Sequence, residues 1–123
     1  MAKADLPHQH DQHLAQVLDK MPGEAAFVTA ADIFSQLSDP TRLRILWLLC
    51  HSEECVTNIA AAVGMSDPAV SHHLRILRTN GLLSSRRVGK EVHYTLADTE
   101  AARLTHRMID DVFEMSFPGC GIR

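Results

Sequence analysis

The stretch SDPAVSHHLRILRTNG, residues 66–81, carries two adjacent histidines, His72 and His73, inside a pattern that reads as a helix. Ser66 or Asp67 can cap its start, and Pro68 suits a first turn, where a missing N–H leaves no helical bond unmade. Val70, Leu74 and Leu77 recur at i, i+4 and i+7, the stripe of a helix with one buried face, and Asn80-Gly81 ends it. Neighbours on a helix point about 100° apart, so His72 and His73 are badly placed to chelate one small ion. The expectation is that His72 faces outward and His73 faces the protein.

The flanks give this helix its setting. CVTNIAAAVG (55–64) reads as a short apolar helix stopped at Gly64, one tight turn upstream, which makes a helix-turn-helix. LLSSRRVGKEVHYTLA (82–97) switches to period two: Val92, Tyr94 and Leu96 alternate with Glu91, His93 and Thr95. RRVGKE holds the turn, with Gly89 free to take positive φ. A β-hairpin with Arg86, Arg87 and Lys90 at its tip, directly after a helix-turn-helix, is a wing.

Further out, LAQVLDKM (14–21) and EAAFVTAADIFSQL (24–37) read as helices separated by Pro22-Gly23. SDPTRLRILWLLC (38–50) repeats the cap-proline start, with Leu43, Leu46, Trp47 and Cys50 along one face and Ile45 and Leu49 beside them. Residues 98–115 form a last helix, capped by Asp98 or Thr99, with Leu104, Met108, Val112 and Met115 in one apolar line. So wide an apolar face on a terminal helix needs a partner, and a second subunit supplies one. The fold class is therefore mainly α with a small β-hairpin wing: a winged helix-turn-helix, a homodimer through its terminal helices. Its expected parts are a flexible histidine-containing arm (1–13), a DNA-binding and dimerisation domain (14–115) and a C-terminal tail (116–123).

Composition agrees with one small domain: 123 residues, 46% hydrophobic, 22% charged and 5% aromatic. No apolar run approaches 18 residues and the N-terminus lacks the apolar core of a secretion signal, which predicts a cytoplasmic chain with no membrane partner. Three cysteines, an odd count, argue against a disulfide framework. The net charge of −3 conceals an asymmetry: residues 68–90 hold Arg75, Arg78, Arg86, Arg87 and Lys90 and no acid, while both flanks are acidic. A basic island in an acidic chain suggests a polyanion-binding face. With the apolar stripe turned inward, Ser66, Ala69, Ser71, His72, Arg75 and Arg78 offer contacts to double-stranded DNA, the first turns of the helix reaching base edges. Arg86, Arg87 and Lys90 reach the backbone. No HExxH, no Ser-His-Asp constellation and no glycine-rich phosphate loop is present, which speaks against an enzyme.

With these pieces assembled, the chain resembles the ArsR/SmtB family of metal-responsive repressors over residues 30–115. LSDPTRLRILWLL, the Cys-Val pair at 55–56, VSHHLRILR, GLL and the wing ending in YTLAD carry the resemblance. It implies a homodimer that holds a palindromic operator and releases it when an effector binds. Two effector sites follow by resemblance. In one, Cys55 pairs with N-terminal residues, here His8, His10 and His13, a donor set suited to Zn²⁺ or Cd²⁺. The motif often continues with a second Cys or an Asp, where this chain has Thr57 and Asn58, poor ligands. The other lies between subunits on the terminal helix. There Asp98 and Glu114 match the family pattern, while Glu100 and Asp111 replace imidazoles; His106 and Asp110, at i, i+4, are alternative donors. Four carboxylates favour harder ions. No organic cofactor is expected. An alternative of the same fold is a repressor that senses oxidants or reactive sulfur through Cys50, Cys55 or Cys120. A further one is a DNA-binding module with no small ligand.

Overall fold

The computed structural model describes residues 6–119. The chain divides into two compact units, Met1–Ser35 and Gln36–Arg123.

In the first unit, α1 (His13–Lys20) starts without a side-chain cap, and its start is steadied by the His13 N–H, which donates to Asp11 Oδ1 at 2.9 Å. α2 (Glu24–Leu37) follows Pro22-Gly23. The helical spacing of its apolar residues holds, yet Phe27 and Phe34 are 51% and 60% exposed in the single chain.

The second unit runs α3 (Pro40–His51), β1 (Glu54–Cys55), α4 (Val56–Val63), α5 (Asp67–Thr79), β2 (Leu83–Val88), β3 (Glu91–Leu96) and α6 (Glu100–Ser116). Three of its helices begin on side-chain caps. Asp39 accepts from the Arg42 N–H at 2.9 Å, Ser66 from the Ala69 N–H at 3.3 Å, and Thr99 from the Ala102 N–H at 3.0 Å. Each satisfies an N–H that the first turn leaves without a helical partner. Thr99 and not Asp98 is the cap of α6, and its hydroxyl also donates to the Gly81 carbonyl at 2.8 Å, tying the end of α5 to the start of α6. α4 stops at Gly64, whose φ of 71° lies in the left-handed region that a side chain would strain.

The sheet is antiparallel in the order β1-β3-β2. The wing hairpin is as the alternation predicts, closed by Gly89 at φ 63°. β1 was not expected. Its two residues pair Glu54 with Tyr94 and Cys55 with His93, too short a run for any periodicity to announce.

The core gathers where these elements meet. Ile45, Leu46 and Leu49 of α3, Ile59 and Val63 of α4, and Val70, Leu74 and Leu77 of α5 are buried with Leu82, Leu83, Tyr94 and Ile109. On α3 the deep face is Ile45, Leu46 and Leu49, while Leu43, Trp47 and Cys50 pack at its edge. Leu74 is completely buried at the centre of the α5 stripe. Leu74→Ala should therefore lower the unfolding free energy by about 2–5 kcal/mol, whereas Leu74→Met, which keeps the volume, should cost under about 1.5 kcal/mol. Urea denaturation monitored by Trp47 fluorescence measures both.

Candidate nucleic-acid interface and cation ligands

Burial of Val70, Leu74 and Leu77 decides what the rest of α5 can present. His72, Arg75, Arg78 and Thr79 lie on exposed positions, and Ala69 and Ser71 are half-buried beside them. His72, Arg75, Ile76, Thr79 and Asn80 line a shallow open depression of ≈ 280 Å³. α5 is anchored from below by Thr57, whose hydroxyl donates to Asp67 Oδ2 at 2.9 Å, so α4 and α5 hold one angle. From the side, Arg78 Nη1 donates to Ser85 Oγ at 3.3 Å, linking the helix to β2.

The two histidines separate as expected. His72 is exposed and His73 is half-buried, and their rings meet edge to face with centroids 5.9 Å apart. His73 Nδ1 accepts from Arg42 Nε at 3.1 Å, and Arg42 Nη1 also donates to Gln36 Oε1 at 3.1 Å. A nitrogen that accepts from a guanidinium carries no proton of its own. Burial, and after it the positive charge of Arg42, hold the His73 pKa below the ordinary histidine value.

The wing needs a correction. Its tip is Gly89-Lys90, whereas Arg86 and Arg87 sit within β2, opposite His93 and Val92. Successive strand residues point to opposite faces, so Arg86 and Arg87 cannot act as a pair. Arg86 turns toward Glu53, with Nη2 and Nε each 2.6 Å from Oε1. The Arg86 side chain is 68% exposed, and an ion pair so open to water contributes only about 0–1 kcal/mol, little enough for a phosphate to displace. Arg87 and Lys90 are exposed.

Of the residues expected as metal ligands, Cys55 is buried at the start of α4, and its N–H donates to Glu54 Oε2 at 3.2 Å. In the first unit, the rings of His8 and His10 stack with centroids 6.0 Å apart, and His13 opens α1. Asp98 precedes α6 and Glu100 opens it, while Asp111 and Glu114 lie toward its other end. Eleven residues at about 1.5 Å rise separate Glu100 from Asp111 by about 16 Å, so one chain cannot close that set around an ion. Asp98 pairs instead with Arg103. His106 and Asp110 do meet, with Nε2 to Oδ2 at 3.2 Å. A third group joins them that sequence reasoning missed: His51, at the end of α3, with Nε2 3.9 Å from Asp110 Oδ1. Nothing local marks His51, because its partners lie more than fifty residues away on another helix.

The Cys50 thiol is poorly activated. Burial and then the nearby Asp110 carboxylate push the Cys50 pKa up to about 12, which keeps it protonated and weakly nucleophilic at neutral pH. Cys120 lies outside the described residues.

A three-stranded sheet whose hairpin follows a helix-turn-helix, with a capped helix offering an exposed basic face, defines a winged-helix DNA-binding protein. A model of the bacterial regulatory proteins of the arsR family matches residues 39–85. A transcriptional repressor SmtB homolog from Synechocystis is 40% identical over 93% of this chain and 86% of its own length. A cadmium resistance regulatory protein, the CadC homolog of Staphylococcus aureus, is 37% identical over 63% of this chain and 64% of its own. Among solved structures, the homodimeric winged helix-turn-helix DNA-binding domain from Mycobacterium bovis superposes with a TM-score of 0.62 at 30% identity, covering 87% of this chain and 91% of that one. The chain belongs to the ArsR/SmtB family of transcriptional repressors, DNA-binding regulators and not enzymes. No helix among the described residues is long and apolar enough to cross a membrane.

The His73 contact has a measurable signature. Its folded pKa lies below the ordinary 6.5, so the unfolded chain takes up the proton first. The stability this contact contributes is complete above the unfolded value and is lost as pH falls from there through the folded one. NMR titration should find His73 below the ordinary histidine value, and His73→Gln should flatten the decline of stability on that acid side. A His73 resonance titrating at or above the ordinary value would refute the contact.

Proposed function

We propose that the protein is a cytoplasmic, homodimeric repressor that holds a palindromic operator and releases it on binding a metal ion of the Zn²⁺ or Cd²⁺ type. The observation that carries this reading is the exposed face of α5. There His72 and Arg75 stand clear of the core on a helix locked to α4 and β2. In this reading Ser66, Ala69, Ser71, His72 and Arg75 approach base edges, and Arg75 is the side chain suited to pair with guanine. Arg78, Arg86, Arg87 and Lys90 contact phosphates, Arg86 by exchanging Glu53 for the backbone.

Dimerisation is supported by the apolar residues α6 leaves in water, among them Leu104, Val112 and Met115, and by the homodimeric state of the related Mycobacterium bovis domain. The CadC homolog, named for cadmium resistance, supports metal as the effector. Cys55 with His8, His10 and His13 would hold a borderline or soft ion, since a thiolate and imidazoles are the donors such ions prefer. Asp98, Glu100, Asp111 and Glu114, brought together across a dimer, would form a harder, all-carboxylate set that suits Zn²⁺ less well. The metal would neutralise donor charge and hold the dimer in a form whose recognition helices no longer match the operator. Thiol sensing through Cys50 is disfavoured by the raised pKa of that buried thiol.

Fluorescence anisotropy with an operator fragment tests the assignment. Arg75→Ala should weaken binding about tenfold or more, the loss of one bidentate base contact. Lys90→Ala should lower affinity uniformly across sequences and reduce the salt slope by about one per subunit. Zn²⁺ or Cd²⁺ under reducing conditions should release the operator, and Cys55→Ser should remove that response. Release by oxidant alone would transfer the sensing role to the cysteines.

A further inference from the structure

We infer that His51, His106 and Asp110 form a divalent transition-metal site inside one chain, clamping the end of α3 to the middle of α6. The three side chains offer one donor atom each, and these atoms all lie within 4.8 Å of one another. His106 Nε2 to Asp110 Oδ2 is 3.2 Å and His51 Nε2 to Asp110 Oδ1 is 3.9 Å. Two ligands in tetrahedral array about Zn²⁺ are separated by about 3.3 Å, from metal–ligand lengths of about 2.0–2.2 Å. A small rotation of the side chains therefore brings the three donors onto one ion.

The state of His51 is the second reason. Its Nε2 is buried and has no hydrogen-bond partner among the described residues. At 3.9 Å from the carboxylate it is too far for a hydrogen bond but within the span of a shared cation. A buried ring nitrogen left without a partner is costly, and a metal ion would satisfy it. The ring is fixed by edge-to-face contacts with Trp47 (centroids 5.0 Å) and with His106 (5.4 Å), so it is already directed at the cluster.

Two imidazoles and one carboxylate are the donors of Zn²⁺, Co²⁺ or Ni²⁺ and not of Ca²⁺ or Mg²⁺. Three protein ligands leave a coordination position for water. This site shares His106 and Asp110 with the terminal-helix candidates, but His51 completes it within one chain, so it needs neither a second subunit nor the N-terminal arm. Its regulatory meaning rests on the repressor reading: a metal joining α3 to α6 would couple the helix proposed to dimerise to the helix on which α4 packs.

The full-length metal-free protein is titrated with Co²⁺ and followed by its visible absorption, with no DNA present. One Co²⁺ per chain is expected at this site, besides any held by the Cys55 or carboxylate sets. His106→Ala, at a position one-third exposed and so tolerant of truncation, should lower the affinity by at least about tenfold, as should Asp110→Asn. The double substitution Asp98→Asn with Glu114→Gln, and separately Cys55→Ser, should leave it within about twofold. Circular dichroism confirms that each variant is folded. Failure of the parent protein to bind Co²⁺, or unchanged affinity in both His106→Ala and Asp110→Asn, overturns the site. Loss of binding in the Asp98/Glu114 or Cys55 variants while His106→Ala binds normally overturns it as well. If Co²⁺ binding depends on His106 but Co²⁺ releases no operator in the anisotropy assay, the site stands and only its regulatory meaning is overturned.

Discussion

Burial of the Val70, Leu74 and Leu77 stripe is the constraint on which the rest depends. These side chains are removed completely from water and packed against α3, α4 and the base of the wing. Once that face is committed, the orientation of α5 about its own axis is set. A helix has no second choice about where its opposite face points, so His72 and Arg75 emerge together and His73 is turned back toward Arg42. Hydrophobic burial, which carries no sequence-reading information itself, thereby aims the residues proposed to read a groove.

Polar contacts then fix the angles that burial leaves loose. Thr57 to Asp67 joins α4 to α5, Arg78 to Ser85 joins α5 to β2, and Thr99 to the Gly81 carbonyl joins the end of α5 to α6. Each is individually modest, about 0.5–1.5 kcal/mol for an ordinary hydrogen bond. Together they connect the proposed DNA-reading helix to the helix whose apolar face remains in water. A change at α6 thus has a short mechanical route to α5, through one hydroxyl and one turn.

Much of the element order is legible in the sequence because its signals are local. The Asp-Pro starts of α3 and α5, the Gly64 stop and the alternation of β3 all arise within a few residues of chain, and the helices and hairpin stand where those signals fall. The tip of the wing was misjudged for a reason of the same kind. RRVGKE reads as one basic cluster along the chain, whereas the pleat sends Arg86 and Arg87 to opposite faces and Glu53, far away in sequence, pairs with Arg86. Of the candidate cation ligands, His106 and Asp110 were visible as an i, i+4 pair. His51 was not, since helical periodicity relates residues within one helix and says nothing about which residue of another helix arrives beside them.

The amino-acid sequence by itself determined the helices, the wing and the inward stripe of α5, and with them the family, because propensity, capping and periodicity act over one or two turns of chain. Only the tertiary structure decided that β1 pairs with β3, that Arg42 lies against His73, that Arg86 is held by Glu53, and that His51 closes on His106 and Asp110. All four join residues brought together by loop closure and core packing. Those are properties of the whole chain's collapse, and no short window of sequence contains them.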